Sequence, residues 1–273
     1  MMKRVSLNTG WSLKEAPLNY GKEMAGFISI QKDGWYNELK LPCDVHMPLI
    51  DAGVIKDPVL ADYCFDSEWI ENRSWWFRKI IKSSELDLDC DIAELVLESL
   101  DVNADIFFNG AYLGHHASAH YPFRKDVKEF IIEGDNELLI RLTSGLETVS
   151  DADLAEIDHA VCTELANGCP ERGDKRRAFV RKPTYVYGWD WTPRIGTCAI
   201  AKNAYIDCLK AAAIRNVSVR TIEASSNAKL SLTAEIELLD IIRTADADVN
   251  VKVSKDGKTY ADVTKEDVLL RSG

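Results

Sequence analysis

Short alternations of apolar and polar residues, separated by turn signals, constrain the fold of this chain more than any other feature. Segment 137–142 alternates leucine and isoleucine with polar residues, which places the apolar side chains on one face of a strand. Segment 102–108 leads into Asn109-Gly110, the strongest short hairpin signal, and the chain returns through 111–113. Strands of this length and spacing indicate an all-β fold, either an antiparallel sandwich or a jelly roll.

Two further patterns complete the first part of the chain. Ser150 followed by Asp153 resembles a capping box, and apolar residues then recur at helical spacing until Gly168, which predicts one inserted helix. Additional strands are predicted at 75–81, 95–97 and 130–132.

The character of the sequence changes near Ala211, and we predict two domains, 1–211 and 212–273. The second contains alternating segments that are poor in aromatic residues, at 217–220, 230–236 and 249–253. They suggest an immunoglobulin-like β-sandwich, which needs about 100 residues. We therefore expect 212–273 to be a partial, truncated sandwich.

Charge and cysteine content exclude several classes of function. A formal net charge of −11 argues against nucleic acid as a partner. No apolar run approaches the ~18 residues that span a bilayer, and no secretory signal is visible, so we expect a cytoplasmic protein without a membrane partner. The seven cysteines show no CxxC spacing, which favours reduced thiols, with Cys43 and Cys198 as small buried residues.

The most informative motif for function is Trp189-Asp190-Trp191, which lies in segment 181–194. Indole faces stack on the C–H surface of a sugar ring, and a carboxylate accepts hydrogen bonds from neighbouring hydroxyls. The alternative is a buried aromatic corner in which the aspartate caps a turn. A basic cluster precedes the motif, and we interpret it as a solvated loop or as salt-bridge partners for an acidic neighbouring domain: Arg172, Lys175, Arg176, Arg177, Arg181 and Lys182.

Three segments together resemble the amino-terminal part of glycoside hydrolase family 2, specifically its β-mannosidase branch. They are Leu41-Pro42-Cys43-Asp44-Val45-His46 continuing to Trp75-Trp76-Phe77-Arg78, Leu100-Asp101-Val102-Asn103 continuing through Asn109-Gly110, and Tyr187-Gly188-Trp189-Asp190-Trp191-Thr192-Pro193-Arg194. The resemblance covers about residues 11–205.

The resemblance implies a jelly-roll, galactose-binding-like sugar domain, then an immunoglobulin-like sandwich, then a TIM barrel that supplies two catalytic glutamates for hydrolysis with retention. A barrel needs about 250 residues, which this chain cannot accommodate, so we predict no catalytic residue here. The expected role is to brace the C-terminal TIM barrel of the same parent chain and to contribute to its sugar site. The implied substrate is a β-mannoside or a mannose-containing oligosaccharide, with no metal or organic cofactor.

The predicted substrate-binding residues are Asp190, Trp189 and Trp191. Asp190 is expected to hydrogen-bond sugar hydroxyls, and one of the two tryptophans is expected to pack into the sandwich while the other borders the pocket. Arg181 and Lys182 are expected either to neutralise an acidic residue or to be solvated.

Several other residues can be interpreted either as catalytic or metal-binding residues or as structural residues. His46 is expected to make a packing contact, although a general base is the alternative. The histidines at 115, 116 and 120 form a cluster for which we favour a loop near a domain interface over metal ligation. The Asn-Glu pairs 37–38 and 136–137 match the local pattern of a catalytic acid but lack barrel context.

Two rival functions remain open. A free-standing carbohydrate-binding module would bind mannosides by itself, whereas a brace without its barrel would bind them weakly. Another activity of the same hydrolase family, such as β-galactosidase or β-glucuronidase, is the third possibility.

Overall fold

A computed structural model describes residues 3–157, 174–189, 191–225, 228–239 and 244–271. Nineteen strands dominate the described residues: β1 Lys3–Ser6, β2 Thr9–Pro17, β3 Tyr36–Lys40, β4 Cys43–Asp44, β5 Arg73–Lys82, β6 Ile92–Leu97, β7 Leu100–Asp101, β8 Asn103–Phe108, β9 Ala111–Ala117, β10 Phe123–Asp126, β11 Asp135–Thr143, β12 Tyr187–Trp189, β13 Thr192–Arg194, β14 Ala199–Ile200, β15 Ala204–Leu209, β16 Ala212–Glu223, β17 Lys229–Leu238, β18 Thr244–Lys255 and β19 Lys258–Arg271. The all-β prediction is confirmed.

Helices are few and short. The described α-helices are α1 Ala25–Ser29, α2 His46–Asp51 and α3 Asp151–Ala155, and the 3-10 helices are Lys22–Met24, Phe65–Asn72, Ser83–Glu85, Lys128–Phe130, Leu146–Thr148, Lys175–Ala178 and Thr184–Val186. The capping box of the predicted helix is present, because the Ser150 hydroxyl accepts from the Asp153 amide and the Asp153 carboxylate accepts from the Ser150 amide. The later apolar positions of that helix, 161 and 165, lie outside the described residues. The short helices α1 and α2 were not predicted, because they are too short to show helical periodicity.

Two compact units divide the described chain: residues 4–88 with 94–207, and residues 1–3 with 89–93 and 208–273. The larger unit contains a six-stranded sheet in the order β3-β2-β5-β11-β8-β9. It also contains most of a four-stranded sheet in the order β1-β15-β6-β10 and a small three-stranded sheet, β4-β14-β7.

The central strand β5 shows why this sequence forms a layered sandwich. Trp75, Trp76 and Phe77 are all fully buried, although successive side chains of a strand point to opposite faces. Trp76 packs in a cluster with Ile28 of α1, so a helix covers that face of the sheet. Phe77 makes an edge contact with Trp11. Both faces of β5 are therefore in the core, and the prediction of core positions at Trp75 and Trp76 is confirmed.

The predicted hairpin at Asn109-Gly110 is present. Both residues have positive φ, 49° and 80°, as a tight two-residue turn requires, and Phe108 pairs with Ala111 across it. The Asn109 side chain also donates to the Phe130 carbonyl and accepts from the Glu137 amide, which ties this turn to the start of β11.

A predicted strand at 130–132 is wrong. Lys128–Phe130 is a 3-10 helix, and the following residues form a loop. The reason lies in Asn136, whose buried side chain accepts from the Ile132 amide and donates to the Ile132 and Gly134 carbonyls. These bonds satisfy the backbone groups that a neighbouring strand would otherwise have to pair.

The smaller unit contains two separate hairpins. Strand β16 pairs with β17 and β18 pairs with β19, each as a two-stranded antiparallel sheet. The strands predicted at 217–220, 230–236 and 249–253 all lie within these hairpins. An immunoglobulin-like sandwich remains a prediction for this unit. Across the described residues, no helix is long and apolar enough to cross a membrane.

Candidate functional site

Three aromatic side chains, Tyr185, Trp189 and Trp191, are exposed on the loop that follows the basic cluster, and we call them the aromatic rim. Their exposed fractions are 46%, 42% and 66%. The Tyr185 and Trp191 rings contact each other, with centroids 5.3 Å apart and planes tilted by 42°. Large aromatic side chains exposed together in this way commonly mark a binding surface.

The rim lies on a short hairpin and on the 3-10 helix Thr184–Val186 that precedes it. Strands β12 and β13 pair Tyr187 with Arg194 and Trp189 with Thr192. Gly188 has a φ of +98°, a conformation that residues with a Cβ rarely adopt. The glycine therefore lets the chain turn from its buried portion to its exposed one.

One prediction about the tryptophans is wrong, because neither of them packs into the sandwich. The buried aromatic residue of the hairpin is Tyr187, which is fully inaccessible and packs with Val102, Leu146 and Val180. Its hydroxyl donates to the Ser144 carbonyl at 3.4 Å. Because Tyr187 already fills the space beneath the hairpin, both tryptophans are left at the surface.

Asp190, the residue predicted to bind sugar hydroxyls, lies outside the described residues. Its neighbours in sequence are Trp189 and Trp191, both of them exposed. The role of Asp190 therefore stays a prediction.

Beneath the rim lies a set of buried ion pairs that we call the charged base. The Lys182 ammonium lies 2.7 Å from an Asp101 carboxylate oxygen and donates to the Thr197 carbonyl at 2.6 Å. The Thr197 hydroxyl donates to the other Asp101 oxygen at 2.5 Å. The Lys182 side chain is completely buried. Removing either partner would leave an uncompensated charge in the interior.

A second part of the charged base joins distant segments. The Arg194 guanidinium donates to the Glu71 carboxylate across 123 positions of the sequence, and it lies 3.9 Å from Asp174. Burial raises the pKa of Glu71, although the Arg194 charge opposes that shift. Burial also acts against ionisation of Asp174, but hydrogen bonds from Arg176 outweigh it and lower the pKa of Asp174.

The interpretation of the basic cluster as a solvated loop is wrong for three of its residues, one of which is Arg176, paired with Asp174. Arg172 lies outside the described residues. Lys182 pairs with Asp101 as described, and Arg177 is buried with its guanidinium donating to the Gly188 carbonyl at 3.5 Å. Arg181 is exposed. The partners come from the same unit, so these basic residues hold the loop in place.

His46, for which a catalytic role was the alternative interpretation, has a structural role. His46 is buried, with its Nδ1 2.5 Å from an Asp44 carboxylate oxygen, while the other Asp44 oxygen accepts from the Cys198 amide. Asp44 thus joins α2 to the segment before β14, and the packing role predicted for His46 is confirmed. Cys43 and Cys198 are buried as predicted, and burial raises the pKa of the Cys43 thiol to about 12.

Two of the remaining candidates, His116 and Glu137, also make structural contacts. The buried His116 ring lies 2.7 Å from the Ser118 carbonyl oxygen. In the part of the chain that the structure describes, no group of three or more His, Cys, Asp or Glu side chains is placed to hold a metal ion. Glu137 accepts from the Ser29 hydroxyl at 2.6 Å, and Glu38 lies exposed at a positive φ of 59°.

Tyr185 was not predicted to belong to the rim. It lies in the aromatic-rich segment that carries the motif, six positions before Trp191 in the sequence. The concentration of aromatic residues in that segment was the available signal.

Together, the layered sheets define a β-sandwich domain that carries the exposed aromatic rim. Residues 11–202 match the family described as glycosyl hydrolase 2 galactose-binding domain-like. The chain belongs to this family, and the resemblance noted in the sequence is confirmed at that level.

The related proteins share this portion and extend far beyond it. β-Mannosidase B of Emericella nidulans is 26% identical over 234 residues, which cover 85% of this chain and 25% of that protein. A probable β-mannosidase of Caenorhabditis elegans is 26% identical over 170 residues, which cover 61% of this chain and 19% of that protein. The chain thus spans about a fifth to a quarter of the length of these relatives.

Solved structures show the same fold. The β-D-mannosidase from Dictyoglomus thermophilum superposes with a TM-score of 0.76 at 24% identity, covering 99% of this chain and 31% of that one. A β-glucuronidase from glycoside hydrolase family 2 gives 0.62 at 17% identity, covering 100% of this chain and 25% of that one.

Proposed function

We propose that this chain is the non-catalytic, sugar-binding amino-terminal part of a β-mannosidase-like glycoside hydrolase. The aromatic rim would form one wall of the subsite that holds a terminal β-linked mannose. Its tryptophan faces would stack on the sugar ring, and Asp190 would accept hydrogen bonds from the sugar hydroxyls. The bond itself would be broken in a catalytic domain of the same protein, a TIM barrel.

The observation that carries this proposal is the contrast between Trp191, which is 66% exposed, and Lys182, whose side chain beneath the same loop is completely buried. Holding large aromatic side chains in water is unfavourable unless a ligand or partner covers them. A loop fixed by buried ion pairs presents those side chains with little loss of conformational entropy on binding.

The chemistry assigned to the barrel is a double displacement with retention. Two carboxyl groups about 5–5.5 Å apart would act as nucleophile and as acid/base. The rim would supply orientation and selectivity, and the charged base would keep it in position. No metal or cofactor is required for this reaction.

Activity toward a panel of aryl glycosides tests the assignment. The full-length protein is expected to hydrolyse an aryl β-mannoside well above the β-galactoside and the β-glucuronide. A preference for the β-glucuronide would instead support the activity named for the structural relative. Hydrolysis of none of the three would contradict the proposal.

A second candidate is a carbohydrate-binding module that acts alone, which the exposure of the rim in this chain favours. Titration calorimetry of the 273-residue chain with methyl β-mannoside and β-mannan oligosaccharides separates the two functions. A wall that lacks its barrel is expected to bind weakly or not at all, because sugar hydroxyls would find few partners. Firm binding that Trp191→Ala abolishes would favour the module.

A further inference from the structure

A cavity of about 680 Å³ opens beside the aromatic rim, entirely within the larger unit. Its lining comes from all three strands of the small sheet β4-β14-β7, and from the loops that precede the rim and follow β9. Tyr185 belongs to both sites, since its ring contacts Trp191 and also lines the cavity. Tyr185 is therefore shared by the rim and the cavity. Its volume lies within the roughly 300–1,000 Å³ range of small-molecule sites.

The carboxylates of the cavity are already engaged by the protein. Asp44 accepts from His46 and Cys198, and Asp101 is paired with Lys182 and Thr197. These contacts fix the shape of the wall.

Two other polar side chains are unengaged. His120 and Lys202 both line the cavity and are exposed, and neither side chain has a hydrogen-bond or ion-pair partner among the described residues. Pro42 and Pro183 contribute apolar surface to the same lining. The lining of the cavity thus combines an aromatic side chain, apolar proline rings and two hydrogen-bond donors that are unpaired within the described part of the chain.

A pyranose ring matches this combination, because it has apolar C–H faces bordered by hydroxyls that accept hydrogen bonds. We infer that the cavity is a second carbohydrate subsite, which receives the next sugar units of an oligomeric β-mannoside whose terminal unit lies at the rim. This inference rests on the proposed function, and it makes oligosaccharides better substrates than single-unit glycosides. Tyr185 would be the wall common to both subsites.

The test compares two substrates in the full-length protein: an aryl β-mannoside, whose aryl group lacks the hydroxyls that His120 and Lys202 would bind, and a β-1,4-mannohexaose, whose second and later units carry them. The measured quantity is the ratio of kcat/KM for the hexaose to kcat/KM for the aryl substrate. We expect His120→Ala and Lys202→Ala each to lower this ratio about fivefold, as the loss of one hydrogen bond would. His115→Ala and Lys125→Ala are matched controls, because neither residue lines the cavity.

Three outcomes would contradict the inference. They differ in whether the proposed function is contradicted as well. If the wild-type protein hydrolyses neither substrate, the proposed function fails and the subsite fails with it. If both substrates are hydrolysed but the ratio is unchanged in the variants, only the subsite fails. If the ratio is unchanged while the melting temperature of the variants falls, the two side chains contribute to stability and not to a sugar subsite.

Discussion

Within segment 181–194 the rim and its base differ in what they contribute. In the base, Lys182 and Arg194 are buried and paired with carboxylates of distant segments. In the rim, Trp189 and Trp191 are exposed. We propose that the base provides stability and position and that the rim provides a surface for a ligand. Substitutions in the two regions should therefore change different quantities.

The largest effect is expected for Lys182→Met in the base. It leaves Asp101 buried without its counter-ion, which should cost about 3–5 kcal/mol of unfolding free energy. Urea denaturation of the 273-residue chain measures the change. Arg181→Met, at the exposed neighbouring position, is the control and should change stability by less than about 0.5 kcal/mol. Equal effects of the two substitutions would contradict the claim that the buried ion pair of Lys182 stabilises the base.

The next effect is expected at the rim, for Asp190→Ala. A charge-assisted hydrogen bond to a sugar hydroxyl contributes about 1.5–3 kcal/mol, so kcat/KM for an aryl β-mannoside should fall roughly tenfold or more in the full-length protein. Asp190→Asn keeps one acceptor and should lose less. Wild-type kinetics in Asp190→Ala would remove this residue from the site.

Gly188 lies in the hairpin between the buried base and the exposed rim. The substitution Gly188→Ala is therefore expected to change both stability and activity. The Gly188 φ of +98° is unfavourable for alanine, and we expect a loss of about 1–2 kcal/mol in unfolding free energy. Gly257→Ala, in a surface turn at φ +76° with open space around it, is the matched control for backbone strain alone. Only Gly188→Ala should also lower kcat/KM, because only Gly188 positions the rim.

The smallest effect is a dependence on pH that comes from the base. Because the pKa of Asp174 is lowered in the folded chain, its contribution to stability is fully present above its unfolded pKa of about 3.9. That contribution is lost as the pH falls through the lower folded value. Thermal melts between pH 5 and pH 2 should therefore show a shallower decline for Asp174→Asn than for the wild type. Parallel declines would show that Asp174 does not stabilise the base.

Local features of the fold were predictable from the sequence. The Asn109-Gly110 turn and the capping box at Ser150 depend on residues within a few positions of each other, and both are present. The strand predicted at 130–132 failed because three apolar residues do not distinguish a strand from a loop. The outcome there depended on the side chain of Asn136.

The rim was predictable only in part, and its base was not. Trp189 and Trp191 stand out as residue types around a single aspartate, but the motif did not show that both would be exposed. The partners of Lys182 and Arg194 are brought together only by the complete sandwich, as the 123-position separation of Glu71 and Arg194 illustrates. No local pattern distinguishes a basic residue that will be buried from one that will be solvated.

The central claim is that the rim exists for a ligand and not for the fold, and Trp191→Ala tests it most directly. The melting temperature and the kcat/KM for an aryl β-mannoside would be measured on the same full-length preparation. We predict an unchanged melting temperature together with a loss of about threefold to tenfold in kcat/KM, as expected for one aromatic contact. Wild-type turnover, or a loss that only accompanies a lower melting temperature, would contradict the account.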